Sequence, residues 1–216
     1  MLIEIYSDVI CPWCFIGKQR LDAVLATDVG DDIELAWRPY QLYPNLPAGG
    51  IDRGEFLRAQ YGDRADRTKT PSQIRVDAEQ VGIVFDYAAI ERVPDTLAAH
   101  RLLRYAEVEE TPQGSQHALA ERLFRMYFCE GRDVGRIDVL VEAAGDVGLQ
   151  MEAVRGYLES ESGTAQTLAD IQEGMGLGVA GVPCYRLGKM FMLPGAQLAD
   201  TMVQFIERAK SRLAAS

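Results

Sequence analysis

Two thiols separated by two residues, Cys11-Pro12-Trp13-Cys14, are the segment of this 216-residue chain best equipped for chemistry. A helical pattern opens at this point. The first sulfur would therefore sit at the positive end of a helix dipole, which favours the thiolate and makes Cys11 the candidate nucleophile. Cys14, one turn further on, is near enough to close a disulfide with it and to resolve a mixed disulfide with a substrate. The same spacing also serves as half of a zinc site, so a redox and a metal reading both attach to it. A zinc site built from all four cysteines would need Cys129 and Cys184 to converge with this pair at about 2.3 Å from one metal. With the thiols in separate parts of the fold, no metal is expected. Pro12 and Trp13 control what faces the Cys11 sulfur, and Trp13 offers a substrate an apolar contact.

Further candidates lie far along the chain. Gly181-Val182-Pro183-Cys184 reads as a loop entering a strand, where the proline interrupts the ladder and a cis Val182–Pro183 bond would fit. Cys184 has two readings, a third thiol near the active pair or a small residue packed in a sheet, because strand residues alternate sides. Cys129 ends an apolar helical stripe and reads as a small buried hydrophobe. His100, followed by Arg101, either faces a cleft and contacts an anionic substrate such as glutathione or forms a surface pair on a helix. His117 has no supporting context and reads as solvated.

The elements that must position these residues follow from periodicity. Leu2–Tyr6 alternates as a strand, apolar residues recur at helical spacing from Trp13 to about Asp28, and Asp32–Trp37 alternates again. This strand-helix-strand unit favours a parallel pair with a right-handed crossover. After a breaker-rich loop at 43–50, helical patterns cover about 52–61, 72–82, 95–109, 115–129, 137–147 and 150–160, with no convincing strand among them. Leu119, Leu123, Phe124, Tyr127 and Phe128 form one stripe that reads as core. A further helix runs from about Gln166 to the glycines at 174–178. The segments Val179–Leu187 and Lys189–Leu193 then read as a hairpin about Gly188. Leu198, Met202, Phe205, Ile206, Ala209 and Leu213 line one face of a last helix.

Composition bounds the function. The chain is 48 % apolar and 25 % charged, values of an ordinary soluble domain. With 22 Lys and Arg against 32 Asp and Glu, the net charge of −10 repels polyphosphate, so nucleic acid is not an expected partner. No apolar run reaches the roughly 18 residues a membrane span needs, so no membrane is expected either. The start, Met1-Leu-Ile-Glu-Ile-Tyr-Ser-Asp8, lacks a basic and apolar leader, which predicts a cytoplasmic chain. In a reducing compartment four cysteines point to redox chemistry or metal binding rather than structural disulfides.

A Cys-x-x-Cys opening the first helix, a Val-Pro before the third strand and a helical block between them resemble the thioredoxin superfamily and, within it, the DsbA family. Ser7–Lys18, Asp95–Arg101, Phe128–Asp133 and Gly195–Gln197 are similar to segments of its FrnE-like branch, cytosolic proteins related to 2-hydroxychromene-2-carboxylate isomerase. The resemblance covers the whole chain. It implies an α/β, thioredoxin-like fold (strand-helix-strand, then helix-strand-strand-helix) formed by residues 1–43 and 166–216, with an all-helical domain inserted at 44–165. It also implies Pro183 as a cis proline packed beside the thiols, and the backbone of Val182 as a partner for an extended substrate. Cys184 departs from the family pattern, where a larger or hydroxyl-bearing residue usually follows that proline.

The function expected is a thiol-disulfide oxidoreductase with Cys11 as nucleophile and Cys14 as resolving thiol. Its substrate is a protein or small-molecule disulfide or thiol. No bound cofactor is expected, with glutathione as a co-substrate, in a monomer or homodimer. The alternative is a glutathione-dependent isomerase or transferase acting on a small aromatic or polyketide-like compound. A third reading, a holdase with an apolar cleft, rests on Met190–Leu193, which is more simply a buried strand.

Overall fold

The computed structural model describes residues 1–62, 66, 69–108 and 114–215. Strand β1 (Leu2–Ser7) leads into helix α1 (Pro12–Leu25), which returns the chain to β2 (Glu34–Pro39), parallel to β1. Helix α1 starts where it does because Cys11 is extended (φ −94°, ψ 113°) and Pro12 follows with its φ already helical and no amide to leave unpaired. Two short strands, β3 (Ile51–Asp52) and β4 (Arg92–Val93), pair antiparallel and bracket α2 (Arg53–Tyr61) and α3 (Ser72–Gln80). Helices α4 (Leu97–Val108), α5 (Ser115–Phe128), α6 (Ile137–Asp146), α7 (Met151–Glu159) and α8 (Thr164–Gly176) come next. The hairpin of β5 (Cys184–Leu187) and β6 (Phe191–Pro194) and a last helix, α9 (Ala199–Ala214), complete the order.

The main sheet runs β2-β1-β5-β6, with β5 antiparallel to β1. Its register fixes what each face carries. Tyr185 lies opposite Ile5 and Cys184 opposite Tyr6. Paired residues share a face and neighbours alternate, so Ile3, Ile5, Ser7, Tyr185 and Leu187 face α1, while Glu4, Tyr6, Cys184 and Arg186 face away from it. The far face packs against α8, where Gly174 leaves room for the Tyr6 ring. On the near side, Phe15 of α1 stacks on Phe124 of α5 with ring centroids 5.3 Å apart, and Phe128 and Phe85 close round it. The helix carrying the thiols is thus clamped between the sheet and the helical block. No helix among the described residues is long and apolar enough to cross a membrane.

Three expectations are corrected. The pair β3–β4 lies in the stretch read as free of strands; at two residues each, its strands are too short to show alternation. Val179–Pro183 is loop rather than strand, because Pro183 has no amide for the ladder and only Cys184 begins the pairing with β1. His117 is half-buried and held rather than free in solvent: Trp37 Nε1 donates to its Nδ1 at 3.2 Å and its Nε2 lies 2.7 Å from Asp22 Oδ1.

Candidate active site

The end of β1 sets the position of everything in the site. The Cys11 amide donates to the Asp8 carbonyl at 3.0 Å, and α1 begins at the next residue. The Cys11 side chain is 3 % exposed, and its thiol donates to the Val182 carbonyl at 3.6 Å. Across 171 residues, this contact brings the two loops together. The Val182–Pro183 peptide is cis. The first turn of α1 holds no acidic side chain to offset the partial positive charge of the helix end.

Cys14 lies one turn deeper and is 1 % exposed. Burial pushes its thiol well above the usual range, and the hydrogen bond and charge of Cys11 push it further the same way. Ser7 and the Asp8 main chain pull in the opposite direction. The two sulfurs therefore differ in environment, one at a rim and one enclosed. All four cysteines are free thiols.

Cys11 opens onto a groove of about 580 Å³ between the layer of the main sheet and the helical block. Ile10, Pro12, Trp13 and Val182 form one wall, and Tyr43, Phe56, Tyr87, Tyr127 and Phe128 form the other. Tyr43 meets Phe56 edge to face at 4.8 Å. Arg53 brings a buried cation to the lining: its guanidinium lies 5.1 Å from the Tyr87 ring centre and donates to the Tyr87 carbonyl. A larger concavity, of about 780 Å³, runs along α9 past Phe191 and Phe205, but it holds no thiol and no histidine. The Cys11 thiol lines the smaller groove.

Of the residues singled out by type and spacing, Cys11, Pro12, Trp13 and Val182 line this groove together. Pro183 packs behind them against Gly17. His100 does not reach the groove. It is 2 % exposed, neither cleft-facing nor on the surface, with Nε2 3.5 Å from Oδ1 of the fully buried Asp8. Arg101 is also committed inside, donating to the carbonyls of Tyr157, Leu158, Ser160 and Ser162 at the end of α7. Cys184 packs with Tyr6 and Val179 on the face of the sheet opposite to α1, so the register decides for the small residue in a sheet. Cys129 caps the end of α5 half-buried, its thiol pushed up by burial. No group of three or more His, Cys, Asp or Glu among the described residues could hold a metal ion.

Sequence reasoning passed over Asp8, Arg53 and the tyrosines of the far wall. Asp8 Oδ2 accepts from the Leu42 amide at 2.8 Å and ties the loop carrying Tyr43 to the end of β1. Tyr127 and Phe128 sat in the stripe read as core, and they do fill it, with one edge on the groove. No local pattern marks Arg53 or Tyr87.

Comparison with known proteins agrees with this fold. Residues 2–207 match the family model of the DSBA-like thioredoxin domain. The chain is 27 % identical to the uncharacterized protein YwbO of Bacillus subtilis (strain 168), over 94 % of each chain. It superposes with a TM-score of 0.82 on a probable DsbA oxidoreductase of Streptomyces coelicolor, at 29 % identity, covering 98 % of this chain and 90 % of that one. Two more distant structures share the fold. The cytosolic disulfide reductase DsbM of Pseudomonas aeruginosa with glutathione has a TM-score of 0.64 at 19 % identity, over 96 % of this chain and 98 % of that one. 2-Hydroxychromene-2-carboxylate isomerase has 0.67 at 16 %, over 99 % and 96 %.

Proposed function

The chain belongs to the DSBA-like thioredoxin domain family, and from that premise we propose that it is a thiol-disulfide oxidoreductase working through Cys11 and Cys14. The observation that carries the reading is the unequal placement of the two thiols. Cys11 caps a helix at the wall of an apolar groove, and Cys14 is enclosed one turn behind it. In reduction of a substrate, the Cys11 thiolate attacks one sulfur of the disulfide and the other leaves as a thiolate and is protonated. Cys14 then gives up its proton, bonds to the Cys11 sulfur and displaces the second substrate thiolate. Two substrate sulfurs are reduced and the cysteine pair is oxidised. The reverse sequence oxidises a dithiol, and the potential of the pair against the surrounding thiol pool sets the direction.

Pro12, Trp13, Val182 and Pro183 would hold the substrate. The Val182 carbonyl next to Cys11 supports strand-like pairing with an extended substrate, protein or small molecule. Glutathione fits as a co-substrate, no bound cofactor enters the cycle, and a cytoplasmic location is part of the same proposal. Cys11→Ser is expected to abolish turnover of a small disulfide. Cys14→Ser is expected to accumulate a covalent substrate adduct on Cys11, visible in the intact mass. Turnover retained by Cys11→Ser would remove this mechanism.

The aromatic wall and Arg53 favour one second reading, a glutathione-dependent isomerase or transferase acting on a small aromatic compound. It requires glutathione binding and product formation that survive Cys14→Ser.

A further inference from the structure

Tyr185 is 2 % exposed, and its hydroxyl has no hydrogen-bond partner. A buried hydroxyl without a partner destabilises the folded state, so it calls for a role. The ring stands on the α1 face of β5 and meets that helix at Gly17, three residues after Cys14. A methyl built on Gly17 would lie 2.4 Å from Tyr185 Oη and 3.2 Å from Pro183 Cγ. Residues three apart share a helix face, and side chains lean toward the helix N-terminus, so the space left by Gly17 adjoins Cys14. The hydroxyl therefore occupies a slot bounded by Gly17, Pro183 and Ala196, one helical turn along the same face from Cys14, and makes no hydrogen bond to that sulfur while both are protonated.

We propose that the Tyr185 hydroxyl donates a hydrogen bond to the Cys14 sulfur whenever that sulfur carries negative charge, and so acts in the resolving step. This inference rests on the disulfide-exchange reading and deepens it. In that step Cys14 loses its proton and bonds to the Cys11 sulfur, the bond from Cys11 to the substrate sulfur breaks, and the substrate leaves as a thiolate that takes up a proton. Cys14 is oxidised and the substrate sulfur reduced. In the opposite direction Cys14 is the leaving group and carries the same charge.

Burial, then the Cys14 and Cys11 sulfurs, hold the phenol well above its usual range, so it keeps its proton as a donor. The other groups that favour a charged Cys14 are dipoles, the Ser7 side chain and the Asp8 main chain. Charged neighbours of the slot are Arg20, itself paired with Asp77 of α3, and Asp22; behind Asp8 stands His100 of α4.

The test follows the two releases of thionitrobenzoate when the reduced protein meets 5,5′-dithiobis(2-nitrobenzoate), on a Cys129→Ser background that removes the half-exposed thiol. The first release reports attack by Cys11, and the second reports resolution by Cys14. Tyr185→Phe is expected to leave the first unchanged, to slow the second about tenfold near neutral pH, and to move its rise to higher pH, the loss of one charge-assisted bond. A second release with the wild-type rate and pH profile, or equal slowing of both, overturns the proposal. Gly17→Ala places a methyl where the hydroxyl lies and is expected to reproduce the selective slowing; an unaltered second release there also counts against it. If the protein with Tyr185 intact shows no second release, the disulfide-exchange reading itself falls. If only Tyr185→Phe has no effect, that reading stands and this inference alone is lost.

Discussion

Arg101 and His100 are adjacent in sequence and both turn inward. Arg101 is 7 % exposed and spreads its guanidinium over the carbonyls at the end of α7, which the helix cannot satisfy itself. Arg101→Ala would take its donor from the buried Leu158 carbonyl and leave the partly exposed Tyr157, Ser160 and Ser162 carbonyls to water, and is expected to cost about 2 kcal/mol in a urea titration, with little recovery by Lys, whose ammonium cannot span them. A loss below about 1 kcal/mol would contradict this role. On α1, burial raises the Asp22 carboxyl, but hydrogen bonds from His117 and Lys18 outweigh it and hold the group below its ordinary value of 3.8. A lowered folded value means the stabilisation is fully present above 3.8 and fades as pH falls through the lower folded value. Asp22 is one-third exposed, so Asp22→Asn should lower stability by only about 1 kcal/mol at neutral pH, with the gap from wild type closing as the pH is taken well below 3.8. An equal gap at both pH values would show that the carboxylate charge is not involved. The spacing of Cys11 and Cys14 at a helix start was legible in the sequence because it is settled within one helical turn. Asp8, Arg53 and Tyr185 were not, since the residues they meet lie 34 to about 170 residues away and only the fold joins them.

At the scale of elements, long and strongly periodic segments were read with errors of a few residues at their ends. The parallel β1–β2 pair, the hairpin and helices such as α5 and α9 all carry enough apolar repeats to declare a period. The strands β3 and β4 do not, since two residues carry no alternation. Orientation was the harder question. Whether Cys184 faced the active pair depended on the pairing of Cys184 with Tyr6, and a one-residue slip would have reversed it. The hairpin itself turns through Gly188 and Lys189, both at positive φ (56° and 62°), with the Met190 amide donating to the Leu187 carbonyl. This is the turn whose twist suits a hairpin, but a lysine pays for it in strain. Lys189→Gly is expected to raise stability by about 0.5–1 kcal/mol, read as a higher melting temperature with unchanged thiol chemistry. A lower melting temperature would mean that the Lys189 side chain contributes more than its backbone costs.

Across the whole molecule, α1 is held on one side by the sheet and on the other by the phenylalanine stack of the helical block. The same clamp leaves Cys11 at a groove and Cys14 in the interior. Net charge of −10 turns the surface against polyanions, while the groove itself is aromatic with Arg53 at its wall. This combination suits a thiol or disulfide presented on an apolar or extended body. The most direct measurement is the thiol state of the purified protein equilibrated across a glutathione redox series, with mass spectrometry locating each disulfide or adduct. A reversible Cys11–Cys14 bond is expected, its midpoint giving the direction of exchange. Thiols that stay free throughout, or a glutathione adduct on Cys11 that Cys14 never displaces, would contradict the dithiol cycle.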